Sequence, residues 1–175
     1  MLTEEDRAIY EWQLDVTGFG EEGQEKLRNT TALVSRIGGL GGPIAFALAA
    51  AGIGKLILAH AGNLRKDDLN RQILMQWEGL GKPRVESAAK TLAAFNPKVE
   101  VEIHNENFSG TNAAALVSKA DIVFASAPLF EERFLMNQEC VRQNKPMVDC
   151  AMYSLEGHVM PIVPGETPCL ACLFP

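Results

Sequence analysis

No stretch of this chain stays apolar long enough to cross a bilayer. The opening residues Met1-Leu2-Thr3-Glu4-Glu5-Asp6 are acidic and lack the apolar core of a signal peptide, so a cytoplasmic setting and no membrane partner are expected. Basic residues are in deficit, 16 Lys and Arg against 22 Asp and Glu, for a formal net charge of -6. That balance argues against a nucleic-acid partner, whose phosphates ask for a basic face. Cysteine is scarce: Cys140, Cys150, Cys169 and Cys172 are all there are. Without a secretory signal they read as reduced thiols or metal ligands, not as a disulfide framework. No internal repeat or low-complexity segment is present, and no Ser-His-Asp or Cys-His constellation can be assembled from spacing. His60, His104 and His158 show no metal-ligand spacing, and only His60 falls at the end of a strand pattern.

What is present is an ordinary globular balance: 175 residues, 47% hydrophobic and 22% charged, enough for one domain with a sizeable core. Short apolar runs alternate with helical patterns. Strands are expected at Ala32 to Ser35, Lys55 to His60, Val99 to Ile103, Asp121 to Ser126 and Met147 to Ala151, with a strand or hairpin from Leu155 to Val163. Helices are expected at Glu21 to Leu27, Pro43 to Ala51, Pro83 to Phe95, Asn112 to Lys119 and Phe130 to Asn144. Such alternation predicts an α/β, Rossmann-like doubly wound and mostly parallel sheet with helices on both faces. Ligands of such sheets bind beyond the carboxyl ends of the strands. The expected organisation is a helical arm over residues 1–30, a nucleotide-binding domain over 31–163, and the start of a further Cys-bearing segment over 164–175.

The richest segment is Leu33-Val34-Ser35-Arg36-Ile37-Gly38-Gly39-Leu40-Gly41-Gly42, a strand entering a glycine-rich turn before a helix. Such a turn brings backbone N–H groups to a phosphate, with a helix N-terminus behind it. The bland alternative is a tight turn that binds nothing. A dinucleotide site would also need an acid at the end of the second strand, and Leu58-Ala59-His60-Ala61-Gly62 offers none. In Asp67-Asp68-Leu69-Asn70-Arg71-Gln72, Arg71 can clamp phosphate oxygens while Asn70 and Gln72 donate hydrogen bonds; a solvated loop is the alternative. Lys82 and Arg84 open a helix against its dipole, so an anion nearby would offset their cost. Cys169 and Cys172 have the spacing of half a four-thiolate zinc site.

As an ordered set, these pieces resemble the ThiF/MoeB/HesA family, bacterial relatives of the ubiquitin-activating enzymes. The matching segments are Gly18-Phe19, Gly38-Gly39-Leu40-Gly41, Ala51-Gly52-Ile53-Gly54, Asp68-Leu69-Asn70-Arg71-Gln72, Gly81-Lys82-Pro83-Arg84, Asn96-Pro97, Arg133 with Asn137, Glu156-Gly157 and Pro168-Cys169-Leu170-Ala171-Cys172. The resemblance implies ATP and magnesium as cofactors, a homodimer, and adenylation of the C-terminal glycine of a ubiquitin-fold sulfur-carrier protein. It implies that Gly38, Gly39 and Gly41 cradle the nucleotide and that Asn70, Arg71 and Gln72 contact its phosphates, with Arg71 the catalytic cation. Arg84 stands where the family has a phosphate-binding lysine, and a structural zinc would use Cys169 and Cys172 with a second pair.

The departures gather on the chemistry. Arg36 replaces the first glycine of the turn, His60 and Gly62 replace acidic residues after the second strand, Trp12 replaces an arginine of the arm, and Pro128 replaces a magnesium-binding Asp. Two expectations follow. In the first, altered contacts still serve ATP, with Arg36 and His60 on phosphate or Glu131 or Glu132 as the missing magnesium ligand. In the second, the chain is a non-catalytic relative that binds a ubiquitin-like carrier or another nucleotide as a scaffold.

Overall fold

A computed structural model describes all 175 residues. Three short helices, α1 (Glu4–Ile9), α2 (Glu11–Leu14) and α3 (Gly20–Arg28), precede β1 (Thr31–Ser35), α4 (Gly41–Ala51) and β2 (Lys55–Ala59). Single 3₁₀ turns at Lys66–Asp68 and Trp77–Gly79 lead to α5 (Arg84–Phe95), β3 (Glu100–His104), α6 (Ala113–Ser118) and β4 (Ile122–Ala125). The chain ends with α7 (Phe130–Arg142), β5 (Met147–Tyr153), β6 (Glu156–Ile162) and α8 (Leu170–Leu173).

The six strands form one sheet in the order β3-β2-β1-β4-β5-β6, parallel except for β6, which returns antiparallel to β5. This is a Rossmann-like doubly wound sheet. Strand order reverses between β1 and β4, and a crevice must open there because the connections leave to opposite faces.

Alternate side chains divide the sheet between two cores. Ala32 and Val34 of β1 join Leu56 and Leu58 of β2 on the face covered by α4 and α5, with Ala45, Ala49, Val85 and Leu92. Leu33, Ile57 and Val123 point the other way, onto Val117, Met136 and Cys140 of α6 and α7. Burial pushes the Cys140 thiol up to about 12, so it behaves as a packed apolar side chain.

Two helices at the start, α1 and α2, fall in the stretch expected to be a helical arm, within which the sequence expectation places only Glu21 to Leu27 as a helix. They are short, and α1 is fixed by tertiary contacts more than by propensity. Thr3 caps α1 by accepting from the Asp6 N–H. Asp6 is buried and accepts from Lys98 Nζ at 2.7 Å, which holds its carboxyl far below the usual carboxylate range. Tyr10, also buried, accepts at its hydroxyl from Asn96 Nδ2. Gly52 ends α4 at φ 86, and a Cβ there would lie 2.5 Å from the Tyr10 ring, so only glycine permits both the turn and the docking of the arm.

Candidate nucleotide site

The β1–α4 turn and the segments following β2, β4 and β5 enclose a cavity of about 930 Å³ at the reversal point of the sheet. Five of the chain's eight arginines line it: Arg36, Arg65, Arg71, Arg84 and Arg133. A chain with a net charge of -6 thus gathers its guanidinium groups in one hollow, which is the pattern of a polyanion site.

The floor is the glycine turn. Arg36 sits at φ 54, in the left-handed region. Its carbonyl accepts from the Gly38 N–H at 2.6 Å, and the Gly38 carbonyl accepts from the Gly42 N–H at 2.9 Å. Gly41 closes this turn, because a Cβ there would lie 2.7 Å from the Arg36 carbonyl oxygen. Gly41 and Gly42 form the first turn of α4, which begins before the expected Pro43. Gly38 and Gly39 line the cavity; Gly41 does not. The backbone N–H groups of Gly39 and Leu40 donate to no protein acceptor, so they stay available at the N-terminal end of α4.

One wall is organised by Asp68, a residue whose central role the sequence hid. Its carboxylate is 2% exposed. It accepts from Arg84 Nη2 at 2.7 Å, Arg84 Nε at 3.1 Å, the Arg65 N–H at 3.0 Å and Gln72 Nε2 at 2.6 Å. Burial works against its charge, but the Arg65 N–H and the Arg84 guanidinium hold its pKa below the ordinary value. Asp68 is therefore the anion that offsets the placement of Arg84 at a helix start. The signal was there, since Arg84 required an anion; sequence distance concealed which one.

Gln72 is buried, with Nε2 on Asp68 and Oε1 left without a partner. Arg71 is half-exposed at the mouth and donates from Nη1 to the Asp67 carbonyl and to Asn70 Oδ1. Asn70 itself is exposed, does not line the cavity, and acts by orienting Arg71.

Arg36 and Glu132 change the expectation for the opposite side. Arg36 Nε donates to Glu132 Oε2 at 2.9 Å, and Nη2 donates to Oε1 in a bidentate pair. Glu132 is 6% exposed. It is not an open ligand for magnesium, because both its oxygens are taken. Glu131 is exposed and does not line the cavity. Pro128 does line it and brings no donor atom for a metal.

His60, expected on phosphate, is neutral. Burial comes first among the causes, followed by the charges of Arg84 and Arg36, and together they lower its pKa to about 4. Its Nδ1 is buried without a partner. Such a histidine contributes fully to stability above its unfolded pKa and loses that contribution as pH falls from 6.5 towards 4. Denaturant unfolding at pH 7.5 and pH 4.5 should show wild type losing about 3 kcal/mol more than His60→Gln across that window. Parallel curves for the two proteins would refute a buried neutral imidazole.

Behind β5 a second cluster completes the cavity. Asp149, 0% exposed, accepts from Arg133 Nε at 2.8 Å and Nη2 at 2.5 Å, and His158 Nε2 lies 2.7 Å from Oδ2. The Phe130 ring covers the Arg133 guanidinium at 4.6 Å. His158, ordinary by sequence spacing, is brought here by the β5–β6 hairpin. Trp12 is 87% exposed. Cys169 and Cys172 stand 3.7 Å apart, Sγ to Sγ, and no third His, Cys, Asp or Glu joins them. These two thiols alone do not make a zinc site.

Three buried polar atoms lack partners, His60 Nδ1, Gln72 Oε1 and Ser126 Oγ, and all three belong to residues lining the cavity. Unpaired buried polar atoms are costly and rare in a native fold. With the free turn N–H groups and the arginines, they fit a nucleotide: polar edges for base and ribose, cations for phosphate. They do not fit magnesium. Asp68, Glu132 and Asp149 are each held by an arginine.

A doubly wound sheet with an arginine-lined hollow at its reversal point defines an α/β protein with a candidate polyanion site. The chain belongs to the ThiF family, whose pattern it matches over residues 10–175. It is 47% identical over 174 residues to the vegetative HesA protein of Trichormus variabilis, covering 99% of this chain and 66% of that one. It is 35% identical over 178 residues to a sulfur carrier protein adenylyltransferase of Thermus thermophilus, again covering 99% and 66%. The solved structure of E. coli MccB superposes with a TM-score of 0.83 at 27% identity, over 98% of this chain and 50% of MccB. MccB has also been solved with ATP, where the TM-score is 0.76 at 29% identity over 85% of this chain and 46% of MccB. The chain thus spans just under two thirds of these curated relatives and about half of MccB. No helix is long and apolar enough to cross a membrane.

Proposed function

We propose that the chain is the nucleotide-binding part of an adenylyltransferase that activates the C-terminal glycine carboxylate of a ubiquitin-fold sulfur-carrier protein, acting as a homodimer. The observation that carries this reading is the clustering of every unpartnered buried side-chain polar atom on the walls of one arginine-lined cavity. Kinship to a sulfur carrier protein adenylyltransferase and a fold shared with an ATP-bound relative support it.

In the proposed reaction a carrier carboxylate oxygen attacks the α-phosphorus of ATP. The bond from that phosphorus to the oxygen bridging to the β-phosphate breaks, pyrophosphate leaves, and an acyl-adenylate remains. The chain's residues position and neutralise. Gly38, Gly39 and the free N–H groups of the turn hold phosphate against the α4 N-terminus. Arg84, fixed by Asp68, and Arg71, at the mouth, meet the charge that develops on the leaving pyrophosphate. His60, Gln72 and Ser126 satisfy polar edges of the nucleoside. No step is assigned to magnesium or zinc.

The test is pyrophosphate exchange with ATP and the purified carrier. Exchange above background is expected, and Arg71→Ala should lower its rate by about 100-fold, the usual cost of one charge-stabilising group. Folded protein that gives no exchange overturns the enzymatic reading. A second reading rests on the occupied Arg36–Glu132 pair and Pro128: a relative that binds a carrier without adenylating it. Carrier binding without exchange would establish that instead.

A further inference from the structure

The Arg36–Glu132 pair does more than remove a metal ligand. Resting on the nucleotide reading above, we propose that this cavity takes its nucleoside triphosphate free of any divalent cation, and that the Arg36 guanidinium is the resident cation in the metal's place.

Three observations carry this. The first is the state of the carboxylates. Magnesium held with a nucleotide in a protein site is usually bound by one or two carboxylates besides the phosphates and water. Asp68 and Asp149 face arginines in the cavity wall, and Glu132 is spent on Arg36. Glu156 alone is unpaired among the lining residues, and it is exposed at the β5–β6 turn.

The second is the placement of Arg36. It emerges from the end of β1 directly into the phosphate turn, in a left-handed conformation that costs energy for a residue with a side chain. Nε and Nη2 are fixed by Glu132, while Nη1 makes no bond within the protein. A guanidinium clamped on one edge and open on the other is pre-oriented for a phosphate oxygen.

The third is charge. With Arg36 in the turn and Arg71 and Arg84 opposite, a divalent cation entering among them meets repulsion that a naked polyphosphate does not.

The experiment measures ATP affinity of the purified chain by titration calorimetry, once with excess EDTA and once with excess magnesium, and repeats both for Arg36→Gly. The glycine suits φ 54, so this variant keeps the turn. It also frees the Glu132 carboxylate. In wild type, excess magnesium ties ATP up as its metal complex, so the apparent affinity is expected to fall by at least about ten-fold relative to EDTA. Arg36→Gly should bind metal-free ATP at least about ten-fold more weakly and recover when magnesium is added.

Wild-type binding that is as tight or tighter with excess magnesium overturns the proposal and leaves the nucleotide reading standing. If Glu156→Gln abolishes such tightening, that exposed carboxylate is the ligand and Arg36 is not the cation. An Arg36→Gly protein that binds metal-free ATP as well as wild type also overturns it. No binding in either medium, with folding verified by a cooperative melt, overturns both this proposal and the nucleotide reading.

Discussion

Asp68→Ala is expected to destabilise the protein by about 3–5 kcal/mol and to abolish nucleotide binding together. The carboxylate is 2% exposed and Arg84 beside it is 13% exposed. Alanine would leave a largely buried guanidinium, a buried glutamine amide and the Arg65 N–H without their acceptor. For a chain of this length such a loss lowers the melting temperature by roughly 10 °C. Arg84 and Gln72 would lose their orientation, so ATP should no longer raise the melting temperature of the variant. Asp68→Asn preserves shape and part of the bonding and should fall between. Denaturant unfolding and thermal shifts with ATP check both. A variant within about 1 kcal/mol of wild type that still responds to ATP would show that Asp68 does not organise the wall.

The second large effect is expected at Asp149. This carboxylate is fully buried and Arg133 is 3% exposed. Asp149→Ala strands the guanidinium and should cost about 3–5 kcal/mol. Removing both charges with Asp149→Leu and Arg133→Met should recover a large part of that loss, because a pair of apolar side chains carries no desolvation penalty. Stability and ligand binding then separate. The double variant should fold yet bind ATP and carrier poorly, since Arg133 lines the cavity and His158 would lose its carboxylate. Unfolding curves for the single and double variants decide it; a double variant no more stable than Asp149→Ala refutes the buried-pair account.

Much of the architecture was legible in the residues. Leu33 and Val34 on opposite sides of β1, the one-face spacing of Val85, Ala88 and Leu92 on α5, and Gly52 ending α4 are local signals, and the structure follows them within a residue or two. The alternation of strands with helices led to the parallel sheet, and the glycine turn led to its switch point. The helices α1 and α2 escaped because each spans only a turn or two, and α1 is held by Asp6 reaching Lys98, 92 positions away.

The candidate site was half legible. Gly38, Gly39, His60, Arg71, Gln72 and Arg84 do meet in one cavity, while Gly41 and Asn70 support it from outside. The carboxylates were misjudged. Glu132 is a free magnesium ligand only if Arg36 is absent, and the two are separated by 96 positions. Likewise His158 reads as unremarkable until the hairpin sets it against Asp149.

By itself the sequence determined the sheet, its switch point and the glycine turn, because periodicity and turn chemistry are properties of neighbouring residues. Only the tertiary structure decided which arginine meets which acid: Arg84 with Asp68, Arg36 with Glu132, Arg133 with Asp149. Ion pairing acts through space over a few ångströms and takes no account of distance along the chain. Which charges remain free for a ligand is therefore settled by folding.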